Sequence, residues 1–137
     1  MKKVKYTLIL FILLSCNLIY AAVPVYTENQ KDIIVTAKQP RFIIQLKSNP
    51  TTGYSWSLEQ YDVRFVKVIK HQYIPSTNKR IGASGVEQWL LALNAKGMLI
   101  SGKTKLYFAY KRPWEQQEPV QQLVFNARCS ACRLHKK

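Results

Sequence analysis

Short runs in which apolar and polar residues alternate constrain the fold of this chain more than any other feature. Phe42, Ile44 and Leu46 recur at every second position, and no stretch beyond the first 22 residues keeps the 3.6-residue period of an amphipathic helix. A period of two places alternate side chains on one face of a β-strand. The β-branched and aromatic residues in these runs also favour strands. The runs cover residues 32–38, 41–47, 56–58, 63–70, 86–95, 103–111 and 119–127.

Turn-forming residues separate the runs and complete the prediction of fold class. Pro, Gly and Asn punctuate the chain at 39–40, 49–53, 75–78, 82–85, 94–97 and 112–113. Trp56, early in a central run, is typical of an immunoglobulin-like core, and Trp89 is expected to be a second core aromatic. Trp114 follows Pro113 in a turn, so nothing carries it inward. We expect an all-β, immunoglobulin-like antiparallel β-sandwich of about seven to eight strands, without the inter-sheet disulfide.

The first 22 residues have the pattern of a secretory signal peptide. Basic residues precede an apolar stretch at 7–14, and two alanines close the segment. The stretch is shorter than the roughly 20 residues that span a bilayer, although an uncleaved anchor is the alternative. The motif LLSC at 13–16 resembles a bacterial lipoprotein processing site, which would place a lipid on Cys16; cleavage near Ala22 is favoured. The protein is therefore expected to be exported, periplasmic or secreted, and membrane-attached only if Cys16 is lipidated.

One domain, residues 23–128, is expected between this leader and a basic tail at 129–137. The tail carries a C-x-x-C motif, Cys129 and Cys132. An exported protein can oxidise such a pair to a small-loop disulfide. Free thiols, a redox or intermolecular role, and a zinc site completed by His135 and a fourth ligand remain alternatives. No metal site and no cofactor are predicted.

The charge balance is strongly basic but does not identify a partner. The chain has 21 Lys and Arg against 7 Asp and Glu, a net charge of +14; loss of the three leader lysines leaves +11. Such an excess suits an acidic partner, an anionic surface or nucleic acid. The cations are scattered without a run of five or six, so nucleic acid is not expected. A basic immunoglobulin-like binding or adhesion module for an anionic ligand is the alternative function.

Catalytic chemistry finds little support. The chain has no Ser-His-Asp pattern, metal cluster or phosphate-binding loop. His71 and His135 have no evident partners in the sequence and are expected at the surface. We therefore do not expect an enzyme.

Three turns together resemble one known family. They are NPTTGYSW at 49–56, IGASGVEQW at 81–89 and RPWE at 112–115. Their order and spacing, on a β background from about residue 30 to 127, resemble the chagasin family of cysteine-protease inhibitors. The second motif is partial, because the family usually shows G-x-G-G and Ser84 stands where the first Gly of the final pair belongs.

The resemblance implies a reversible, tight-binding inhibitor of papain-like cysteine proteases, expected to be a monomer. Three loops, 49–54, 81–85 and 112–114, would enter the active-site cleft. Thr51 would approach the catalytic cysteine and histidine with Thr52 beside it, and Ile81 would be offered to an apolar subsite. The implied protease-binding residues are Asn49, Pro50, Thr51, Thr52, Gly53, Tyr54, Ile81, Gly82, Ala83, Ser84, Gly85, Arg112, Pro113 and Trp114.

The composition of the first loop suits a rigid projection. Pro50 fixes its own φ and biases Asn49 towards an extended conformation. Asn49 can hydrogen-bond the turn backbone, and Gly53 can adopt a positive φ without steric penalty. Tyr54 is expected either to anchor the loop or to face the enzyme. Trp114 is the expected binding hot spot.

Overall fold

Eight strands form two packed sheets in the computed structural model, which describes residues 22–77, 82–99 and 102–132. A short helix, α1 (Ala95–Leu99), joins two of the strands. A single 3-10 turn covers Pro50–Thr52. The strands are β1 (Val25–Tyr26), β2 (Asp32–Val35), β3 (Arg41–Ser48), β4 (Ser55–Gln60), β5 (Val66–Ile74), β6 (Gly85–Leu93), β7 (Lys103–Lys111) and β8 (Gln121–Cys129).

The sheet order confirms the sandwich and corrects one detail of the prediction. One sheet has the order β1-β3-β6-β5 and the other β2-β8-β7-β4. The pairs β3–β6, β5–β6, β4–β7 and β7–β8 are antiparallel, but β1–β3 and β2–β8 are parallel. Alternation of side chains indicates which face of a strand is buried and not the direction of its neighbour, so the sequence pattern could not reveal these two parallel edges.

The core lies between the sheets and consists of the alternating residues of the longer strands. Phe42, Ile44 and Leu46 of β3 are fully buried. Trp56 and Trp89 are 5% and 3% exposed, which confirms both as core aromatics. The Trp89 ring meets Phe108 of the opposite sheet edge-to-face, with ring centroids 5.0 Å apart. Such aromatic pairs contribute about 0.5–1.5 kcal/mol beyond the burial of their area.

Two segments differ from the alternation-based boundaries for local reasons. The strand expected from residue 63 begins at Val66, because the Asp62 carbonyl accepts hydrogen bonds from the amides of Phe65 and Val66 and forms a turn there. The turn expected at 94–97 continues into α1, where the Asn94 side-chain oxygen accepts a hydrogen bond from the Ala95 amide. This bond satisfies one of the amides at the start of the helix, which have no partner within the helix itself.

The cysteines of the C-x-x-C motif pack at the end of β8. Cys129 is the last residue of that strand, and its sulfur is bonded to that of Cys132, with the Cα atoms 5.6 Å apart. This separation is ordinary for a disulfide, and both residues belong to the hydrophobic core. The bridge closes a local loop and does not join the two sheets. His135 and Cys16, named above as a possible zinc ligand and a possible lipidation site, lie outside the described residues.

Residues 22–77, 82–99 and 102–132 contain neither a membrane-spanning helix nor a cluster of metal ligands. No helix in these ranges has the length and apolar character needed to cross a bilayer. No three His, Cys, Asp or Glu side chains there are grouped so as to hold a metal ion.

Candidate functional site

The strand register brings the three sequence motifs to the same end of the sandwich. Ser48, the last residue of β3, lies opposite Gly85, the first residue of β6. Ser55, the first residue of β4, lies opposite Lys111, the last residue of β7. The segments 49–54, 82–84 and 112–114 therefore all lie at the same end of the strands, and we call them together the loop end. Ile81 lies outside the described residues.

The first loop is held by its own hydrogen bonds. Its 3-10 turn is closed by the amide of Thr52 on the Asn49 carbonyl at 3.2 Å and the amide of Gly53 on the Pro50 carbonyl at 3.0 Å. The Thr52 hydroxyl donates to the same Asn49 carbonyl at 2.7 Å. Gly53 has φ +80°, which confirms the predicted positive φ. Thr51 and Thr52 are exposed, so the hydrogen-bonded turn presents both side chains at the surface.

The side chain of Asn49 acts differently from the expectation. Its oxygen accepts a hydrogen bond from the Thr51 hydroxyl at 2.6 Å and not from the turn backbone. The backbone N–H of Asn49 donates a hydrogen bond to the Tyr110 hydroxyl on β7 at 3.2 Å. Asn49 therefore orients the exposed Thr51 side chain while its backbone is fastened to the other sheet.

The third loop packs on the first. A Cβ atom at Gly53 would lie 2.8 Å from Cη2 of Trp114, so the indole edge rests where a side chain would otherwise be. Arg112 Nε donates to the Thr52 carbonyl at 3.3 Å, and the Arg112 guanidinium lies 4.6 Å from the centre of the Tyr54 ring. Trp114 is nevertheless 71% exposed. These contacts make 49–54 and 112–114 one continuous surface.

Two aromatic contacts and one ion pair support this surface from below. Tyr54 packs on Tyr110, with ring centroids 5.5 Å apart, and Tyr110 packs on Trp56 at 5.0 Å. Tyr54 therefore anchors the loop through one contact, and its half-buried ring leaves the prediction that it faces the enzyme untested. Arg112 also donates to the Glu115 carboxylate at 2.8 Å, and this hydrogen bond raises the pKa of the Arg112 guanidinium above its ordinary value.

The second loop contains two glycines that are required for different reasons. Gly82 is exposed and has φ +79°, a conformation that side chains disfavour, although a Cβ there would meet open space. Gly85 is buried, and a Cβ atom there would lie 2.3 Å from the Ile74 carbonyl oxygen of β5. Ser84, the departure from G-x-G-G, is exposed, and Ala83 is half-buried.

Sequence reasoning missed a buried carboxylate directly beneath the loop end. Glu87 of β6 is 4% exposed. One of its oxygens accepts hydrogen bonds from the Ser48 hydroxyl at 2.6 Å and the Trp56 amide at 2.9 Å. The other lies 3.0 Å from Nε2 of His71. A signal was present in the alternation, because Glu87 stands at an inward position of its run, two residues before the core Trp89.

His71 was expected at the surface without a partner, and the second part of that expectation is wrong. Its side chain is 45% exposed, but one face stacks on Trp89 with ring centroids 4.2 Å apart and planes 11° apart. Its partner Glu87 lies across the β5–β6 pair, where the two residues are diagonal neighbours. Cross-strand contacts of this kind are not readable from separated sequence positions.

A basic groove lies at the opposite end of the second sheet. It has a volume of about 620 Å³, and its lining contains three basic residues and one acidic residue: Asp32, Lys103, Thr104, Lys105, Asn126, Ala127 and Arg128. Lys103 and Arg128 are directly opposite in the β7–β8 register. The groove is remote from the three motifs, since β7 runs nine residues from Lys103 to Lys111 before the third loop begins.

This architecture defines a class of protein: a two-sheet β-sandwich that presents hydrogen-bonded turns together at one end. Residues 36–128 match the model of the Chagasin family peptidase inhibitor I42. The match covers well over half of the chain, and the chain belongs to the chagasin family of peptidase inhibitors. It is thus a member of a family of inhibitors, which are not enzymes.

Individual relatives agree with this placement. The chain is 29% identical over 122 residues to amoebiasin-2 of Entamoeba histolytica, which covers 85% of this chain and 94% of that protein. It is 32% identical over 75 residues to chagasin of Trypanosoma cruzi, covering 52% and 64%.

Two solved structures share the fold. The cysteine protease inhibitor EhICP2 of Entamoeba histolytica superposes with a TM-score of 0.64 at 24% identity, covering 79% of this chain and 96% of the other. The solution structure of amebosin gives a TM-score of 0.62 at 19% identity, covering 80% and 100%. Both confirm the expected all-β sandwich.

Proposed function

We propose that this protein is a reversible, tight-binding inhibitor of papain-like cysteine proteases that inserts loops 49–54, 81–85 and 112–114 into the active-site cleft. Membership of the chagasin family and the likeness to a cysteine protease inhibitor support the class of target. The observation that carries the proposal is the direct contact between loops 49–54 and 112–114. Trp114 packs on Gly53, and Arg112 donates a hydrogen bond to the Thr52 carbonyl.

The first loop would block the cleft without being cut. Catalysis requires a scissile carbonyl about 3–3.5 Å from the nucleophile and aligned with it. The carbonyls of Asn49 and Pro50 are turned inward to accept the hydrogen bonds of the 3-10 turn, so neither is free to enter that geometry. Thr51 and Thr52 would instead approach the catalytic pair with their side chains. Because the turn is already ordered, little conformational entropy is lost on binding.

The flanking loops would supply affinity on either side. Residues 82–85 would lie along one wall of the cleft and pair with it through main-chain hydrogen bonds, as in strand addition. Trp114, exposed and aromatic beside Arg112 and Pro113, would fill the other side as the hot spot. Ile81 would reach an apolar subsite, as the family resemblance implies.

The proposal is tested by titrating papain with the purified protein and following hydrolysis of a small substrate. We expect stoichiometric inhibition, recovery of papain activity when the complex is diluted, and an intact inhibitor chain by mass spectrometry after long incubation. Absence of inhibition at micromolar protein, or obligatory cleavage within 49–54, would contradict the proposal.

The second candidate function is binding of an anionic ligand in the basic groove. The observation that favours it is the direct cross-strand pairing of Lys103 with Arg128, two like charges in a groove whose lining contains Asp32 as its one acidic residue. Such binding would weaken steeply with salt, because it releases counterions. Heparin retention at two ionic strengths, compared with papain inhibition at the same salts, distinguishes the two functions.

We further propose that the chain is exported as a monomer and attached to a membrane only if Cys16 is lipidated. The basic start, the apolar stretch at 7–14 and the LLSC motif support this. The intact mass of the product isolated from cells would separate cleavage near Ala22 from lipidation at Cys16. Size-exclusion chromatography with light scattering would test the monomer.

A further inference from the structure

We propose that Glu87 is a positioning residue that holds the first loop in its binding shape by closing the base of that loop with one carboxylate oxygen. This inference rests on the proposed inhibitory function, in which Glu87 touches no protease atom. The carboxylate is almost completely buried and has partners from three different strands: Ser48 on β3, Trp56 on β4 and His71 on β5.

The two partners of the first oxygen flank the loop. Ser48 immediately precedes residues 49–54, and Trp56 follows them after one intervening residue. Their donors, a hydroxyl and a backbone amide, converge on Oε1 of Glu87 at 2.6 and 2.9 Å. One atom therefore sets the separation between the chain entering the loop and the chain leaving it.

No sheet ladder could do the same. Strand β3 belongs to the first sheet and β4 to the second, where β4 is an edge strand paired only with β7. The Trp56 amide donates to Glu87, so its N–H points away from β7 and towards the first sheet. A second link runs beside it, from the Trp56 indole N–H to the Lys47 carbonyl at 2.8 Å. The carboxylate thus replaces a neighbouring strand and couples the two sheets where the loop begins.

The other oxygen fixes the orientation of the carboxylate. Nε2 of His71 lies 3.0 Å from Oε2, and the imidazole is held by stacking on Trp89. A buried charge is costly unless all its lone pairs find donors. Replacing a whole buried ion pair by apolar side chains is often neutral or stabilising, but an apolar side chain at position 87 alone would leave the Ser48 hydroxyl and the Trp56 amide without an acceptor. What an apolar side chain cannot do is accept the two hydrogen bonds at the base of the loop, which distinguishes positioning from simple packing.

The experiment compares Glu87→Leu, Glu87→Gln and Val35→Ala in the full chain. Val35→Ala is the matched control, because Val35 is buried at the far end of β2, opposite Cys129, and touches none of the loops. Two properties are measured for each: amide hydrogen exchange at Thr52 and Gly53, whose N–H groups close the 3-10 turn, and the rate constants of papain binding.

For Glu87→Leu we expect exchange at Thr52 and Gly53 to accelerate about tenfold or more, and the dissociation rate to rise by a similar factor, since preorganisation acts mainly on dissociation. Glu87→Gln keeps an acceptor oxygen for Ser48 and Trp56 and should restore most of both properties. Val35→Ala should lower the unfolding temperature without changing either. If Glu87→Leu does not fold, Ser48→Ala takes its place. It removes one donor and leaves the carboxylate buried, and we expect a smaller change of exchange and dissociation rate in the same direction.

Protected loop amides in folded Glu87→Leu, or equal acceleration in Val35→Ala, would overturn the inference whether or not papain is inhibited. If Glu87→Leu does not fold, unchanged loop exchange in Ser48→Ala would overturn it as well. If the wild-type protein fails to inhibit papain, the proposed function fails by itself, and the exchange measurement still decides the role of Glu87.

Discussion

At the scale of the residue, Gly53 combines two requirements in one position. Its φ of +80° is one that side chains resist, and the space above it is filled by Trp114. The motif identified the need for glycine in the turn. It could not identify the indole, because Trp114 lies about 60 positions further along the chain and the two meet only through the β4–β7 register.

We predict that Gly53→Ala separates the first and third loops. The left-handed backbone should cost about 1–2 kcal/mol in the free energy of unfolding, and the new methyl must displace the Trp114 ring. Thermal unfolding measures the first effect and papain inhibition the second. Gly82→Ala is the matched control for backbone strain, since its φ is similar but no described atom lies within 4 Å of the added carbon. It is compared by unfolding only, because Gly82 itself belongs to a proposed protease-binding loop. Equal losses of unfolding temperature in the two variants would argue against the contact between residue 53 and Trp114.

We predict that Trp114→Ala weakens inhibition by about 2 kcal/mol, or roughly thirtyfold, with little change in unfolding temperature. The reason is that most of this side chain is exposed in the free protein and would be buried only in the complex. Thr51→Arg should also weaken inhibition, through steric exclusion at the catalytic pair. An inhibition constant unchanged in both variants would show that the loop end is not the binding site.

At the scale of the element, alternation predicted more of the fold than of the site. It placed β7 at Lys103–Lys111 with the same bounds as the structure, because Leu106 and Phe108 mark the buried face without ambiguity. It could not predict that β1 pairs in parallel with β3 and β2 in parallel with β8, because β1 and β2 have only two and four residues and carry no directional signal. Glu87 also escaped prediction, since its three partners lie on three other strands.

We predict a small acid-sensitive contribution from the β4–β7 edge. The Lys111 ammonium, 2.8 Å away, and secondarily the Ser57 hydroxyl hold the pKa of the Glu59 carboxyl below its ordinary value. Because the folded-state pKa is depressed, this stabilisation is present above the ordinary pKa of about 4.5 and is lost as the pH falls through and below it. The pair is partly exposed, so screening limits it to about 0.3–0.5 kcal/mol, or roughly 1–3 °C.

Thermal unfolding of wild type and Glu59→Gln between pH 7 and pH 3 measures this contribution. The wild type should be slightly more stable at neutral pH, and the difference between the two curves should shrink as the pH falls below about 4.5. A difference that stays constant from pH 7 to pH 3 would assign the effect of Glu59 to something other than its charge.

At the scale of the whole molecule, the two candidate functions occupy opposite ends. The nine residues of β7 place Lys103 and the loop end about 30 Å apart at roughly 3.3 Å per residue. This separation exceeds the screening length of about 8 Å at physiological salt. The strongly basic composition was visible in the sequence, but the gathering of Lys103, Lys105 and Arg128 in a groove at the end opposite the loops was not.

We predict that Lys103→Glu combined with Arg128→Glu leaves the papain inhibition constant within about twofold of wild type at physiological salt, because the field of these charges is screened before it reaches the loops. The same pair of changes should abolish heparin retention if the groove binds anions. Loss of inhibition in this double variant would place the protease contact at the wrong end of the molecule.

The contact between Trp114 and Gly53 has a consequence for the transfer of residues 49–54 to a different scaffold. The conformation of 49–54 depends on its internal hydrogen bonds and also on contacts from β7 and the loop that follows it, namely those of Tyr110, Arg112 and Trp114. A graft of residues 49–54 alone would transfer the sequence without the contacts that hold its conformation. Residues 49–54 and 112–114 must therefore be moved together with Tyr110, which lies beneath them.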